Sequence, residues 1–469
     1  MDAASVGRSG GEGLTAYLVE QALALRLDAL SADALEVARA CVTDWLACSF
    51  AGLSEPVATI LAASMLEEGG RPQATLIGRA ERGTVLQAAL YNGALSHALD
   101  YDDVNLAVPG HMSAAILPAV MALAEHRGAS GEQVLTAFAA GYEAACRIGT
   151  LVEPAHYANG FHATATIGGI GAAIACARLL ALPAEQARHA VGIAATQSAG
   201  LKAMFGSMTK PLHAGLAAQA GLRAALYAQR GMSSRGDAIE CDKGFARLHG
   251  SDFNVDAALS APAGHWHLTH NLFKFHAACY STHSTIEAVG ELRQAQQLTP
   301  DAIESIAVVA GEGCSICNIQ QPRTGLEAKF SLRAVAAFTL LGIDTADLHT
   351  WDRVTEPEVE ALRQRVQVTL VPGMSLSESR VSMKLKDGRT LERHFDCGTP
   401  NPDKQAETRK LRAKFKALVT PAAGADKTQA LLGALENFEQ AADLQALLRL
   451  CRPDASPASA GLQTPEKTS

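Results

Sequence analysis

Aromatic residues are scarce in this 469-residue chain: Trp, Tyr and Phe together make up 5% of it. With 48% hydrophobic residues and 40 glycines, its core must be built from aliphatic and small side chains. A basic excess is missing as well. The 40 basic and 48 acidic residues give a net charge of −8, which argues against nucleic acid or an anionic membrane surface as the partner. An anionic small molecule must then be met by a local basic pocket.

Long apolar runs are absent too. None reaches the roughly 18 to 20 residues of a membrane span, and the opening MDAASVGRSGGEG has no apolar stretch of the secretory-signal kind. The ten cysteines are scattered, and Cys41, Cys48, Cys146 and Cys176 fall at apolar positions of helical patterns, as expected in a reducing cytoplasm. Cys314 and Cys317 form one CxxC without a second ligand pair, so it reads as structural. The run around Gly168 fails the GxGxxG spacing, which excludes a dinucleotide fingerprint. His265, His267 and His270 lie close in sequence but lack HExxH spacing and any nearby carboxylate, so no metal is assigned.

What is present is a set of polar clusters beside apolar, small-residue helices. The run SAGLKAMFGSMTKPLHAG, from Ser198 to Gly215, places Lys210 and His213 three apart. Pro211 disfavours α conformation at Lys210, which predicts a break between helices there, with the ammonium aimed into a cleft. Backbone N–H groups of the helix that follows add positive potential. A lone lysine in an apolar segment reads equally as a solvated surface group. Three further segments favour the functional reading. Asp100, Asp102 and Asp103 precede His111; His156 and His162 precede a Gly- and Ala-rich helix; and histidines recur from His265 to His283. For His156, His213, His267 and His276 a structural role is the simpler reading.

The periodicity is helical over most of the chain. Residues 130–133, SGEQ, form a capping box ahead of an apolar helix. Near residue 270 the texture changes: segments 305–311, 365–372 and 380–395 alternate as strands, the last with a hairpin signal at Asp387-Gly388. Two helices are expected among them, one starting near His283 and one running continuously through EAKFSLRAVAAFTLLG. The expected fold is mainly α with an α+β part, in which a large helical domain is built from both chain ends (14–269 and 399–452) around an inserted α+β lid domain (270–398). Residues 1–13 and 453–469 read as disordered tails.

The runs HALDYDDV, PGHMSAAILPA, GFHATATIGG, GSMTKPLHAG, CYSTHSTIEA and EAKFSLRAVA, in this order, resemble the MmgE/PrpD family across roughly residues 14–450. The resemblance implies a homodimer, no metal or organic cofactor, and a small polycarboxylate substrate. Carried over residue by residue, it implies that Asp100, His111, His162, Lys210 and His283 are catalytic, with Met208, Thr209 and His213 beside Lys210 and His111 in substrate binding. The chain departs from the family at Val104, where many members have Thr, at Met112-Ser113, at His276 and at Ala334.

The family's reactions remove a proton or a carboxylate from carbon beside a carboxylate, which demands cationic donors and a base of near-neutral pKa. Lys210 suits the first role and a histidine the second. The leading expectation is a lyase of the 2-methylcitrate dehydratase or cis-aconitate decarboxylase type. An epimerase of the iminodisuccinate type is the close alternative. A non-catalytic helical scaffold comes third, and it is weakened by the absence of an internal repeat.

Overall fold

The computed structural model describes residues 13–251 and 253–454, so the tail segments, apart from Gly13, Pro453 and Asp454, lie outside the described residues. The architecture is mainly α with an α+β part. Nine helices are used to describe the body: α1 (Leu14–Ala24), α2 (Ala32–Ala51), α3 (Pro56–Glu68), α4 (Val85–Ser96), α5 (Met112–Arg127), α6 (Gly131–Val152), α7 (Ala163–Leu179), α8 (Ala184–Ala195) and α9 (Thr209–Gln229). No single helix among the described residues is long and apolar enough to cross a membrane.

Helix α7 is central, packed against α5, α6, α8 and α9, while α9 also packs along α4. Small residues make this possible. A Cβ on Gly93 of α4 would lie 2.8 Å from the Cα of Gly215 on α9, and one on Gly141 of α6 would lie 2.4 Å from the carbonyl oxygen of Gly171 on α7. Backbones this close leave no room for side chains between them. The scarcity of aromatics and the abundance of Ala and Gly are thus a single packing solution. The SGEQ box closes as expected at the start of α6, with Ser130 and Gln133 bonding reciprocally.

The α+β part carries a four-stranded sheet: β1 (Ile303–Gly311), β2 (Val366–Val371), β3 (Glu378–Leu385) and β4 (Thr390–Asp396), in spatial order β2-β1-β3-β4. The β1/β2 pair is parallel and the other pairs are antiparallel. The β3/β4 hairpin turns at Asp387-Gly388, where Gly388 takes φ 91°, a left-handed value that favours glycine. Helix α10 (His283–Gln296) packs on β3 and β4 and on α11 (Leu332–Leu341). The helix expected to run unbroken through EAKFSLRAVAAFTLLG is in fact split. A short turn at Gly325–Ala328 ends, Lys329 to Ser331 leave the helix, and the Ser331 hydroxyl caps α11 at the Ala334 N–H, 3.3 Å away. Helices α12 (Lys404–Ala423) and α13 (Ala425–Glu436) follow, and α12 packs on α2 near the other end of the chain.

Candidate active site

Three helices begin at one place. His111 is the N-cap of α5, His162 is the N-cap of α7, and Lys210 is the second residue of α9. This corrects the expected break at Lys210. Pro211 stands in the first turn, where backbone N–H groups have no intrahelical acceptor, so the helix continues through it. Three positive helix ends favour negative charge here.

Asp100 organises the cations. Its backbone is left-handed at φ 52°, a conformation few non-glycine residues adopt outside functional turns. Its carboxylate meets Lys210 Nζ at 2.7 Å, Lys274 Nζ at 3.1 Å and His111 Nε2 at 3.3 Å. Burial opposes the charge, but Lys210 and Lys274 outweigh it and hold the carboxyl well below the usual range. Lys274 is fully buried and also donates to the Asp100 carbonyl.

Asp102 organises the histidines. Its oxygens lie 2.9 and 3.1 Å from His97 Nδ1, and one lies 3.0 Å from His111 Nδ1. Both ring nitrogens of His111 therefore face carboxylates, although Nδ1 makes no hydrogen bond among the described residues. Burial lowers His97 to about 4, so it is neutral at pH 7. With Nδ1–H donating to Asp102, the buried Nε2 of His97, which has no protein partner among the described residues, carries the lone pair. The His97 ring lies 4.4 Å from that of His111 and 5.8 Å from that of His162. His162 shares a proton with His213 across 3.1 Å between their Nδ1 atoms, and burial pushes both downward.

A cavity of about 1340 Å³ opens in front of this cluster. Its wall includes His97, Asp100, Met208, Lys210, His276, Lys329 and Phe330. His111, His162, His213 and Thr209, which opens α9, do not line it, although His111 reaches Asp100 of the wall. Met208 is 52% exposed at the rim. His283 is buried behind His276 of the wall, near Lys274 and Asp100: its Nε2 bonds to the Ala278 carbonyl at 3.2 Å and its ring packs on His276 and Tyr280. Val104 pairs with Leu272 through the backbone, and its side chain joins an apolar cluster with Leu272 and Tyr280. Cys314 and Cys317 are buried thiols in an apolar cluster, in keeping with a structural reading.

Sequence reasoning passed over His97, Lys274 and Lys329. His97 stood inside the quoted HALDYDDV run, three residues before Asp100, and that spacing was the available signal. His97, Asp100, Asp102 and His111 bring donor atoms within 4.8 Å of one another, the geometry of a metal site. Lys210 and Lys274 already occupy Asp100, however, so their two ammonium charges stand where a divalent cation would have to bind. The cluster suits an anion.

Comparison with known proteins agrees in kind. The MmgE/PrpD N-terminal domain profile matches residues 16–258, and the MmgE/PrpD C-terminal domain profile matches residues 276–440. Cis-aconitate decarboxylase of Homo sapiens is 28% identical over 391 residues, covering 79% of this chain and 80% of the relative. Cis-aconitate decarboxylase of Aspergillus terreus (strain NIH 2624 / FGSC A1156) is 24% identical over 484 residues, covering 95% and 97%. The Mus musculus enzyme of the same name is 28% identical over 385 residues, covering 78% of each.

Proposed function

Since the chain belongs to the MmgE/PrpD family, we propose that it is a lyase acting on a small tricarboxylate, by decarboxylation of the cis-aconitate type. The observation that carries this reading is the Asp100–Lys210–Lys274 cluster at the cavity wall, backed by His97, His111 and His162. Lys210 at the wall and Lys274 behind it exceed the charge of the one aspartate they share, so this corner of the cavity is positive, as an anionic substrate requires. The names of the relatives point the same way.

In this reaction the bond between carbon and the leaving carboxylate breaks. CO₂ departs, and the electron pair stays on carbon, delocalised into the adjacent double bond and carboxylate. A proton then joins the far end of that allylic system, beside the carboxylate, and the double bond moves to the carbon that lost CO₂. Lys210 is the cation placed to neutralise the developing charge, and its position in a water-poor wall strengthens the interaction. His111, beside Asp100 and Asp102, and His97, packed on it at the wall, are the histidines placed to exchange that proton. His213 fixes which nitrogen of His162 carries a proton. His283 and Asp100 complete the set, His283 supporting His276 at the wall and Asp100 holding the two lysines. The residues at the site supply this chemistry without a cofactor. A homodimer in a reducing cytoplasm fits the family and the ten free thiols.

Epimerisation is the second reading. It is favoured by the presence of wall histidines from two separate segments, His97 before α5 and His276 before α10. Proton NMR in D₂O decides between them. Cis-aconitate should be consumed with release of bicarbonate, giving a product with new vinylic signals and one deuterium per turnover. Exchange of the α-protons of iminodisuccinate, with its skeleton intact and cis-aconitate untouched, would replace the lyase reading with the epimerase one. Inertness toward both compounds, with no thermal shift, would leave the scaffold.

A further inference from the structure

Four lysines are buried around the cavity and its floor: Lys210, Lys274, Lys329 and Lys414. Three have anions. Lys210 and Lys274 share Asp100, and Lys414 lies 2.6 Å from Asp44. Lys329 is 8% exposed, and its ammonium has no ion pair or hydrogen bond among the described residues. Burial of the side chain penalises this charge, and an anion bound in the cavity that Lys329 lines would complete it.

Its position shows what such a ligand meets. Lys329 lies in the break between the turn at 325–328 and the cap of α11, where its carbonyl accepts the Cys279 N–H at 3.1 Å. It lines the same cavity as Lys210, and the ring of the adjacent Phe330 is 5.9 Å from Lys210 Nζ. Burial lowers its proton affinity, and Glu55, Asp100 and Asp352 raise it without reaching ion-pair distance. Glu55 and Asp352 also line the cavity, so the wall around Lys329 attracts an anion at one point and repels it at others.

We propose that Lys329 is the anchor for a second substrate carboxylate, distinct from the one received at Lys210. This rests on the polycarboxylate reading above. Two separated ammonium groups in one cavity select molecules with two or more carboxylates over monocarboxylates, because only these fill both positions. The split at Lys329 to Ser331 then has a purpose. A continuous helix would carry residue 329 on a helix surface, whereas the break turns it to the cavity wall.

The test uses the full chain and calorimetric titration with tricarballylate, a saturated tricarboxylate, and with glutarate, a dicarboxylate. Lys329→Met keeps the apolar stem and removes the charge. It should weaken tricarballylate binding about 10- to 100-fold, the loss of one charge-assisted hydrogen bond, bringing it close to the affinity for glutarate. Lys329→Arg should stay within several-fold of wild type. The ligand-free melting temperature of Lys329→Met should equal or exceed that of wild type, because an unpaired buried charge is gone. Tricarballylate affinity unchanged in Lys329→Met would overturn the proposal, and so would a melting temperature lowered by several degrees, which assigns Lys329 to the fold. If wild type binds neither compound and turns over no tricarboxylate, the polycarboxylate reading itself fails, and the anchor with it.

Discussion

Apart from Lys329, each buried lysine at the site is defined by its partner. Asp100 is held by two lysines, so removing one leaves the other: after Lys210→Met, Lys274 still lies 3.1 Å from the carboxylate. The fold should tolerate the change while the reaction does not. We expect kcat/KM for the tricarboxylate to fall by at least ~100-fold, the scale seen when one electrostatic stabiliser is removed, with the melting curve within a few degrees of wild type. Steady-state kinetics and calorimetry check both halves, and retained turnover would end the role of Lys210. At this scale the sequence was partly readable. Asp100, His111 and Lys210 stood out because charged groups crowded the starts of apolar, small-residue helices. Lys274 and Lys329 did not, although Lys329 stands in the EAKFSLRAVA run, because each is a single cation whose neighbours at the site are supplied only by tertiary packing. His283, marked by its polar helix start, lies behind the wall residue His276 with its Nε2 on the Ala278 carbonyl.

Elements were legible where local chemistry alone decides them. The capping box before α6 and the Asp387-Gly388 hairpin needed no tertiary information. The split before α11 was hidden, because apolar periodicity runs straight through Lys329 to Ser331 and only the Ser331 cap marks it. Lys210 misled in the opposite direction, since the rule against α conformation before proline yields in a first turn. A similar local device holds the turn at 267–270. Glu143 on α6 accepts the N–H groups of His267 at 3.1 Å and Leu268 at 2.9 Å, and burial raises its carboxyl from 4.5 to about 7. Its folded value lies above its unfolded one, so the folded state holds the proton between about 4.5 and 7 and wild-type stability falls as pH rises through that window. Glu143→Gln removes the titration and weakens one backbone contact. It should be the less stable protein at pH 5, and the difference should move in its favour by roughly 2 to 3 kcal/mol by pH 8. Urea melts at the two pH values measure this, and a difference independent of pH would show that Glu143 is ionised in the fold.

At the scale of the whole molecule, the two ends of the chain meet beneath the site. Lys414 on α12 donates to Asp44 on α2 at 2.6 Å, to the carbonyl of Tyr101 at 2.6 Å and to the carbonyl of Lys274 at 2.9 Å. Those two carbonyls belong to the residue after Asp100 and to the lysine that holds Asp100. One ammonium on α12 thus fixes the backbone on both sides of the Asp100 ion cluster. Nothing in RKLRAKFKALV distinguishes Lys414 from the solvated cations around it, and its role exists only once α12 has docked. Lys414→Met should destabilise the fold by about 3 to 5 kcal/mol, the cost of leaving a buried charge unpaired, and should depress turnover. Adding Asp44→Leu removes the stranded carboxylate, so much of that stability should return. Turnover should not return with it, because the Tyr101 and Lys274 carbonyls still lack their donor. Denaturant melts and kinetics on the two single variants and the double variant separate these effects. A double variant that regains both stability and rate would mean that Lys414 serves only to neutralise Asp44, and that the loop carrying Asp100 is positioned from elsewhere.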